Sequence, residues 1–178
     1  AAFHDLMDYS ERLMRNAIKD LRDGEYSATT YLDGFLDDPD PSRSKLPLVV
    51  TLKIRGDELT VDLTGTSPQL KDKPINMPLV GTVDCAVWLT IRSILLDTAT
   101  YGAIPRNSGL TRPIKIIAPL GCLANPIFPA PVIARFCSGN QLADTVMKAF
   151  AQVVPQQISA GIGNLRVVAI SGLKDGNH

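Results

Sequence analysis

The sequence predicts an α+β fold, an antiparallel β-hairpin sheet packed with about three helices. Three observations carry this expectation. Residues 46–63 alternate apolar and polar side chains in two runs parted by Gly56 and Asp57. Two long segments, Phe3 to Leu21 and Val80 to Leu96, space their apolar residues at helical intervals instead. Strand-like and helix-like segments follow no regular βαβ order, which separates this pattern from a doubly wound parallel sheet.

In chain order, Phe3, Leu6, Met7, Leu13, Met14, Ala17, Ile18 and Leu21 fall on one face of a first helix, near residues 3–22, that Gly24 stops. Tyr26 to Leu32 alternates weakly and reads as a strand. The Pro, Asp and Ser of DDPDPSRSK mark an exposed loop after it. Leu48, Val50, Leu52 and Ile54 then alternate with polar residues, as do Leu59, Val61 and Leu63, so the two runs form an antiparallel pair with one buried face. Gly56 and Asp57 suit the tight turn between them because glycine accepts a positive φ.

A second helix is expected near 80–97, with Val80, Val83, Val87, Ile91, Ile94 and Leu95 on its stripe and Trp88 among further apolar residues around it, which makes it central. Asp97 and Gly102 end it. Ile114 to Ile117 reads as a short strand, and PLGCLANPIFPAPV is too rich in proline for helix or central strand. A third helix is expected over 141–153, capped by Ser138 or Asn140, and Leu165 to Ile170 reads as a buried strand. The 178 residues thus make one unit, a helix over 1–24 and an α+β body over 25–178. The missing initiator Met and the abrupt start and stop make both ends read as internal to a longer, multidomain polypeptide.

Composition narrows the function. A formal net charge of +0 provides no long-range attraction to polyanions, so nucleic acid is not an expected partner. No run nears the roughly 20 apolar residues that span a bilayer, and the first residues do not form a signal peptide, so no membrane association and a cytoplasmic location are expected. Cys85, Cys122 and Cys137, widely spaced and odd in number, read as reduced and mostly buried thiols. The only histidines, His4 and His178, stand at opposite ends, so a self-contained Ser or Cys hydrolase and a His/Cys zinc site are both disfavoured; no metal site is expected. No GxxxxGK[ST] occurs, and GIGN at Gly161 to Asn164 lacks the third glycine of a dinucleotide loop, so it reads as a turn.

Four residues remain as candidates for binding substrate. Arg135 precedes the third expected helix, and Asn140 and Asp144 fall at or near its first turn, where backbone amides favour an anion; the plainer reading pairs Arg135 with Asp144 and makes Asn140 a cap. Asn76 lies between Pro74 and Pro78, held either for substrate contact or to fix a turn. Asp84 is either buried on the central helix or, more simply, an exposed first-turn acid that favours the helix dipole.

The strings DYSERLMRNAIKDLRDGEY, VDLTGTSPQ, PINMP and NSGLTRPIKIIAPLGCLANPIFPAPVIAR, in that order, resemble the hydantoinase B/oxoprolinase family from about Asp8 to about Gly172. That family includes N-methylhydantoinase and 5-oxoprolinase large subunits and acetone and acetophenone carboxylase subunits. The resemblance implies a B-type subunit of an ATP-dependent complex that hydrolyses cyclic amides or carboxylates ketones. A hydantoinase A-type partner would use ATP to phosphorylate a carbonyl or enol oxygen, making it a good leaving group. The complex would be a hetero-oligomer using ATP and a divalent metal, with no cofactor in the segment itself; in the carboxylases of the family, histidine and aspartate metal ligands lie upstream of the part matched here. By itself the chain is then expected to hydrolyse neither ATP nor hydantoins. Hydantoin, 5-oxoproline and ketone substrates stay open, as does the alternative of a non-catalytic assembly and scaffold module.

Overall fold

The computed structural model describes residues 2–35 and 37–161. Among the described residues four α-helices and four strands form two layers: α1 Ala2–Lys19, β1 Gly24–Asp33, β2 Lys45–Arg55, β3 Glu58–Asp62, α2 Asp84–Leu95, α3 Thr98–Tyr101, β4 Ile114–Ile117 and α4 Arg135–Phe150. The expected strand at Leu165 to Ile170, and GIGN beyond Gly161, lie outside the described residues.

The sheet order is β1-β2-β3-β4. β1 pairs antiparallel with β2 and β2 with β3, the latter register closing at Arg55 opposite Glu58, so Gly56 and Asp57 alone make the turn. Gly56 takes φ 59°, the conformation anticipated for it. The sheet is mixed, however, not purely antiparallel, because β4 joins β3 in parallel. The reason lies in the connection: a long crossover holding α2 and α3 returns the chain to the end of the sheet where β3 began, and a strand entered from there runs the same way.

Leu46, Leu48, Val50, Leu52 and Ile54 of β2 are buried on one face, opposite Met14 and Ile18 of α1, Val87 and Ile91 of α2, and Leu142, Val146 and Phe150 of α4. The other face carries Lys53 paired with Asp62 at 2.8 Å, Arg55 paired with Glu25 at 3.1 Å, and Ser27 hydrogen-bonded to Thr51. Along the edge of β1 that pairs with no other described strand, Lys148 of α4 donates to Thr29 O and Gln152, just beyond the helix, to Ser27 O, so these side chains cover carbonyls that an edge strand leaves open.

Helix limits shift from those expected. The second helix starts at Asp84 rather than near 80, because Gly81 at φ 90° breaks the turn over Leu79–Val83 and turns Val80 outward. Asp84 is half-buried, and its Oδ1 accepts from Gly81 N and Cys85 N at the head of α2. Asp97 begins a separate short helix, α3, by accepting from Ala99 N, and Gly102 ends it at φ 67°. The third expected helix starts six residues early, at Arg135, and ends at Phe150. Ser138 and Asn140 therefore sit inside it; Ala134 holds the cap position and makes no side-chain cap. Of the cysteines only Cys122 is buried; Cys137 is half-buried and Cys85 exposed, which corrects the expectation of mostly buried thiols.

Candidate functional site

A groove of about 420 Å³ runs between α2 and α4, lined by Gly81, Thr82 and Cys85 on one side and Arg135, Phe136 and Asn140 on the other. It brings together two of the four candidate residues. Its far wall is fixed by a segment some sixty positions earlier in the chain. Asn76 is fully buried: its Oδ1 accepts from Leu70 N, and its Nδ2 donates to Leu70 O and to Pro131 O at 2.9 Å. Pro74 O accepts from Ala134 N, and Ile75 O accepts from Ser138 Oγ at 2.7 Å. The turn 74–76 thus clamps the first turn of α4, and Asn76 ties the same turn to Pro131, four residues before the helix begins.

The pairing of Arg135 with Asp144 does not form. Arg135 begins α4, and Asp144, nine residues on, stands about 13 Å further along the axis at the ordinary helical rise. Arg135 is exposed and donates back to Val132 O at 3.3 Å. Asp144 instead faces a separate hollow with Thr30, Lys148 and Ser159, where burial raises its carboxyl pKa. Because the helix starts earlier than the sequence suggested, the three residues lie along one helix rather than around its N-terminus, and no Arg135–Asp144 anion cradle is assembled.

Cys85 is the residue of this groove that sequence reasoning did not single out. Partial desolvation, the adjacent Asp84 carboxylate and a hydrogen bond to it raise the thiol pKa, so Cys85 stays protonated at neutral pH and is a poor nucleophile. The signal was the Gly81 break, which brings Cys85 to the surface at the start of a helix. Among the described residues no three or more His, Cys, Asp or Glu side chains converge.

The groove is of small-molecule size, and its lining mixes the polar Arg135 and Asn140 with the apolar Phe136 and Ile133. A mixed sheet with helices on one face and this groove at the α2–α4 seam define an α+β module that can form one wall of a larger site. The chain belongs to the hydantoinase B/oxoprolinase family, whose model matches residues 1–178.

It is 65% identical over 178 residues to the B-type subunit of a putative D-/L-hydantoinase from Pseudomonas sp. (strain NS671). It is 28% identical over 176 residues to the beta chain of caprolactamase from Pseudomonas jessenii. The chain spans only 30% and 28% of the lengths of these two relatives. The crystal structure of ATP-dependent caprolactamase from Pseudomonas jessenii superposes with a TM-score of 0.69 and 28% identity over 86% of this chain and 25% of that one. A nucleotide-free acetone carboxylase structure also gives 0.69, with 14% identity over 85% of this chain and 21% of that one, a likeness of fold alone. Among the described residues no helix is long and apolar enough to cross a membrane.

Proposed function

We propose that this chain is part of the B-type subunit of an ATP-dependent complex that opens cyclic amides, with hydantoins as the leading substrates. The observation that carries this is the 65% identity, across the whole chain, to the B-type subunit of a putative hydantoinase. The likeness to caprolactamase in both sequence and structure supports the same bond type.

A hydantoinase A-type partner uses ATP to phosphorylate the ring carbonyl oxygen, which makes a stable amide carbon open to attack. One water adds to that carbon and the C–N bond breaks with the proton going to the leaving nitrogen, which gives an acyl phosphate; a second water hydrolyses it to the ring-opened acid and inorganic phosphate. In this reading the ATP and the divalent metal bind outside this segment. The segment contributes the scaffold and one wall, with Arg135 and Asn140 facing the substrate or a neighbouring part of the complex and Asn76 holding them in place. Asp144 belongs to the support of that wall, since it faces a different hollow. Ketone carboxylation is the second reading of the family, but the 14% identity to acetone carboxylase bears on fold only.

The test is to purify the complete B-type subunit together with its A-type partner and to follow ADP release with hydantoin, 5-oxoproline, caprolactam, or acetone plus bicarbonate. ADP release that depends on hydantoin and on both proteins is expected. Release only with acetone and bicarbonate would overturn the hydrolase reading, and full turnover by the B-type protein alone would overturn the division of labour.

A further inference from the structure

Three large apolar side chains line the α2–α4 groove and stand open to solvent: Leu89 is 65% exposed, Ile133 78% and Phe136 47%. Single exposed apolar residues are ordinary, but three around one groove mark a surface that another molecule or segment covers. Among the described residues Arg135 is the one charged side chain of the lining. It has no carboxylate partner there and donates only to Val132 O, and the Asn140 amide has no hydrogen-bond partner.

Elsewhere in the module two such amides clasp the backbone of another segment. Asn76 accepts from the N–H of Leu70 and donates to its C=O, both at 2.8 Å. Gln69 accepts from the N–H of Ile127 at 2.6 Å and donates to its C=O at 3.2 Å. Asn140 has the same acceptor and donor to offer, with neither used by a described residue, which favours a peptide backbone as the occupant. Charge and length narrow the source of that backbone. A second copy docked groove to groove by two-fold symmetry would set two positively charged linings against each other, with no acid in either. The chain spans 30% and 28% of its two subunit relatives, so most of such a polypeptide lies outside the matched part. A covering segment tethered in the same polypeptide acts at roughly millimolar effective concentration, an advantage that a separate protein lacks.

We infer that the α2–α4 groove is closed by another segment of the same longer polypeptide. That segment sets apolar side chains against Leu89, Ile133 and Phe136, gives an Asp or Glu carboxylate to Arg135, and pairs one backbone N–H and C=O with Asn140. A guanidinium matches a carboxylate in shape and charge. The inference rests on the B-type subunit reading and deepens it: Arg135 and Asn140 face a neighbouring part of the subunit rather than substrate.

The test uses the complete B-type polypeptide with photoreactive p-benzoylphenylalanine in place of Leu89, irradiated without A-type protein or substrate. It reads contact, so absent hydantoin turnover would count against the proposed function and leave this result standing. The expected cross-link joins position 89 to a stretch outside these 178 residues that carries Asp or Glu among apolar residues. Mixing isotopically light and heavy copies separates a link within one polypeptide from a link between two. Cys85, exposed in the same groove, gives a second measurement. Its alkylation by iodoacetamide, followed by peptide mass, should quicken about tenfold in Arg135→Glu, the weight of one charge-assisted hydrogen bond, and much less in Arg135→Lys, which keeps the charge. Four results overturn the inference: a cross-link between light and heavy copies; a cross-link that forms only when A-type protein is added; reaction with solvent or residues 1–178 alone; or equal alkylation of Cys85 in the unaltered protein and in Arg135→Glu.

Discussion

The β2–β3 hairpin and the head of α4 are parts of the same module, yet they are specified over very different distances. In the hairpin, residues within about ten positions of one another provide the alternation, the turn and the cross-strand pairs. The head of α4 is held by partners 55 and 63 positions away, Asn76 to Pro131 and Ser138 to Ile75. Apolar burial dominates the first region and buried hydrogen bonds the second. A region of the first kind tolerates polar substitution on its open face, whereas the second depends on a few side chains that must all be satisfied at once.

The largest expected effect tests the burial side. Leu52 is fully buried at the centre of β2, so Leu52→Ala should lower stability by about 4 kcal/mol through lost transfer energy and a residual cavity, as read from chemical denaturation. A loss below about 1 kcal/mol would mean that the hairpin face collapses around the gap and that its packing is less tight than described.

Asn76→Ala tests the hydrogen-bond side. It strands Leu70 N–H, Leu70 C=O and Pro131 C=O, and should cost about 3 kcal/mol. Hydrogen exchange at residues 134–138 should quicken more than at the hairpin amides. Uniform quickening of both regions would dissolve the distinction between them, and no change at all would remove Asn76 from its positioning role.

The smallest effect sharpens the comparison within the hairpin. Burial opposes ionisation of Asp62, but the Lys53 ammonium and the Thr64 N–H and O–H donors outweigh it and bring the pKa to about 2. A carboxyl with a depressed folded pKa stabilises the fold above its ordinary value near 3.8 and loses that contribution as pH falls toward 2. Asp62→Asn should therefore cost about 1–2 kcal/mol at pH 7, reduced by solvent screening at the partly exposed Lys53. The deficit should close between about pH 4 and pH 2; a constant deficit across that range would place the effect in the Thr64 turn rather than in the charge.

The same contrast explains what is legible in the sequence. The hairpin, its glycine turn, the first helix and the short strand at Ile114 are all local patterns, and each falls within a few residues of its expected place. The start of α4 differs because the sequence offers only a local cue, a cap at Ser138 or Asn140, whereas the helix is begun by Ala134 donating to Pro74. That difference carries through to the candidate site: the sequence groups Arg135 and Asp144 around one helix end, and the structure spreads them along one helix. The sequence reads the three cysteines together as mostly buried, because no local pattern shows that Gly81 delays α2 and leaves Cys85 exposed.

By itself the sequence determined the α+β class, the paired strands with one buried face, the helical faces and, through its ordered motifs, the family. Those features follow from side-chain periodicity and from turn residues whose backbone preferences act over a few positions. Only the tertiary structure decided that β4 joins in parallel, that α4 begins at Arg135, and that Arg135 and Asn140 share a groove with Cys85 and Leu89. Each of these depends on which distant backbone groups and side chains meet after the chain has closed loops of tens of residues, and periodicity along the chain carries no record of that meeting.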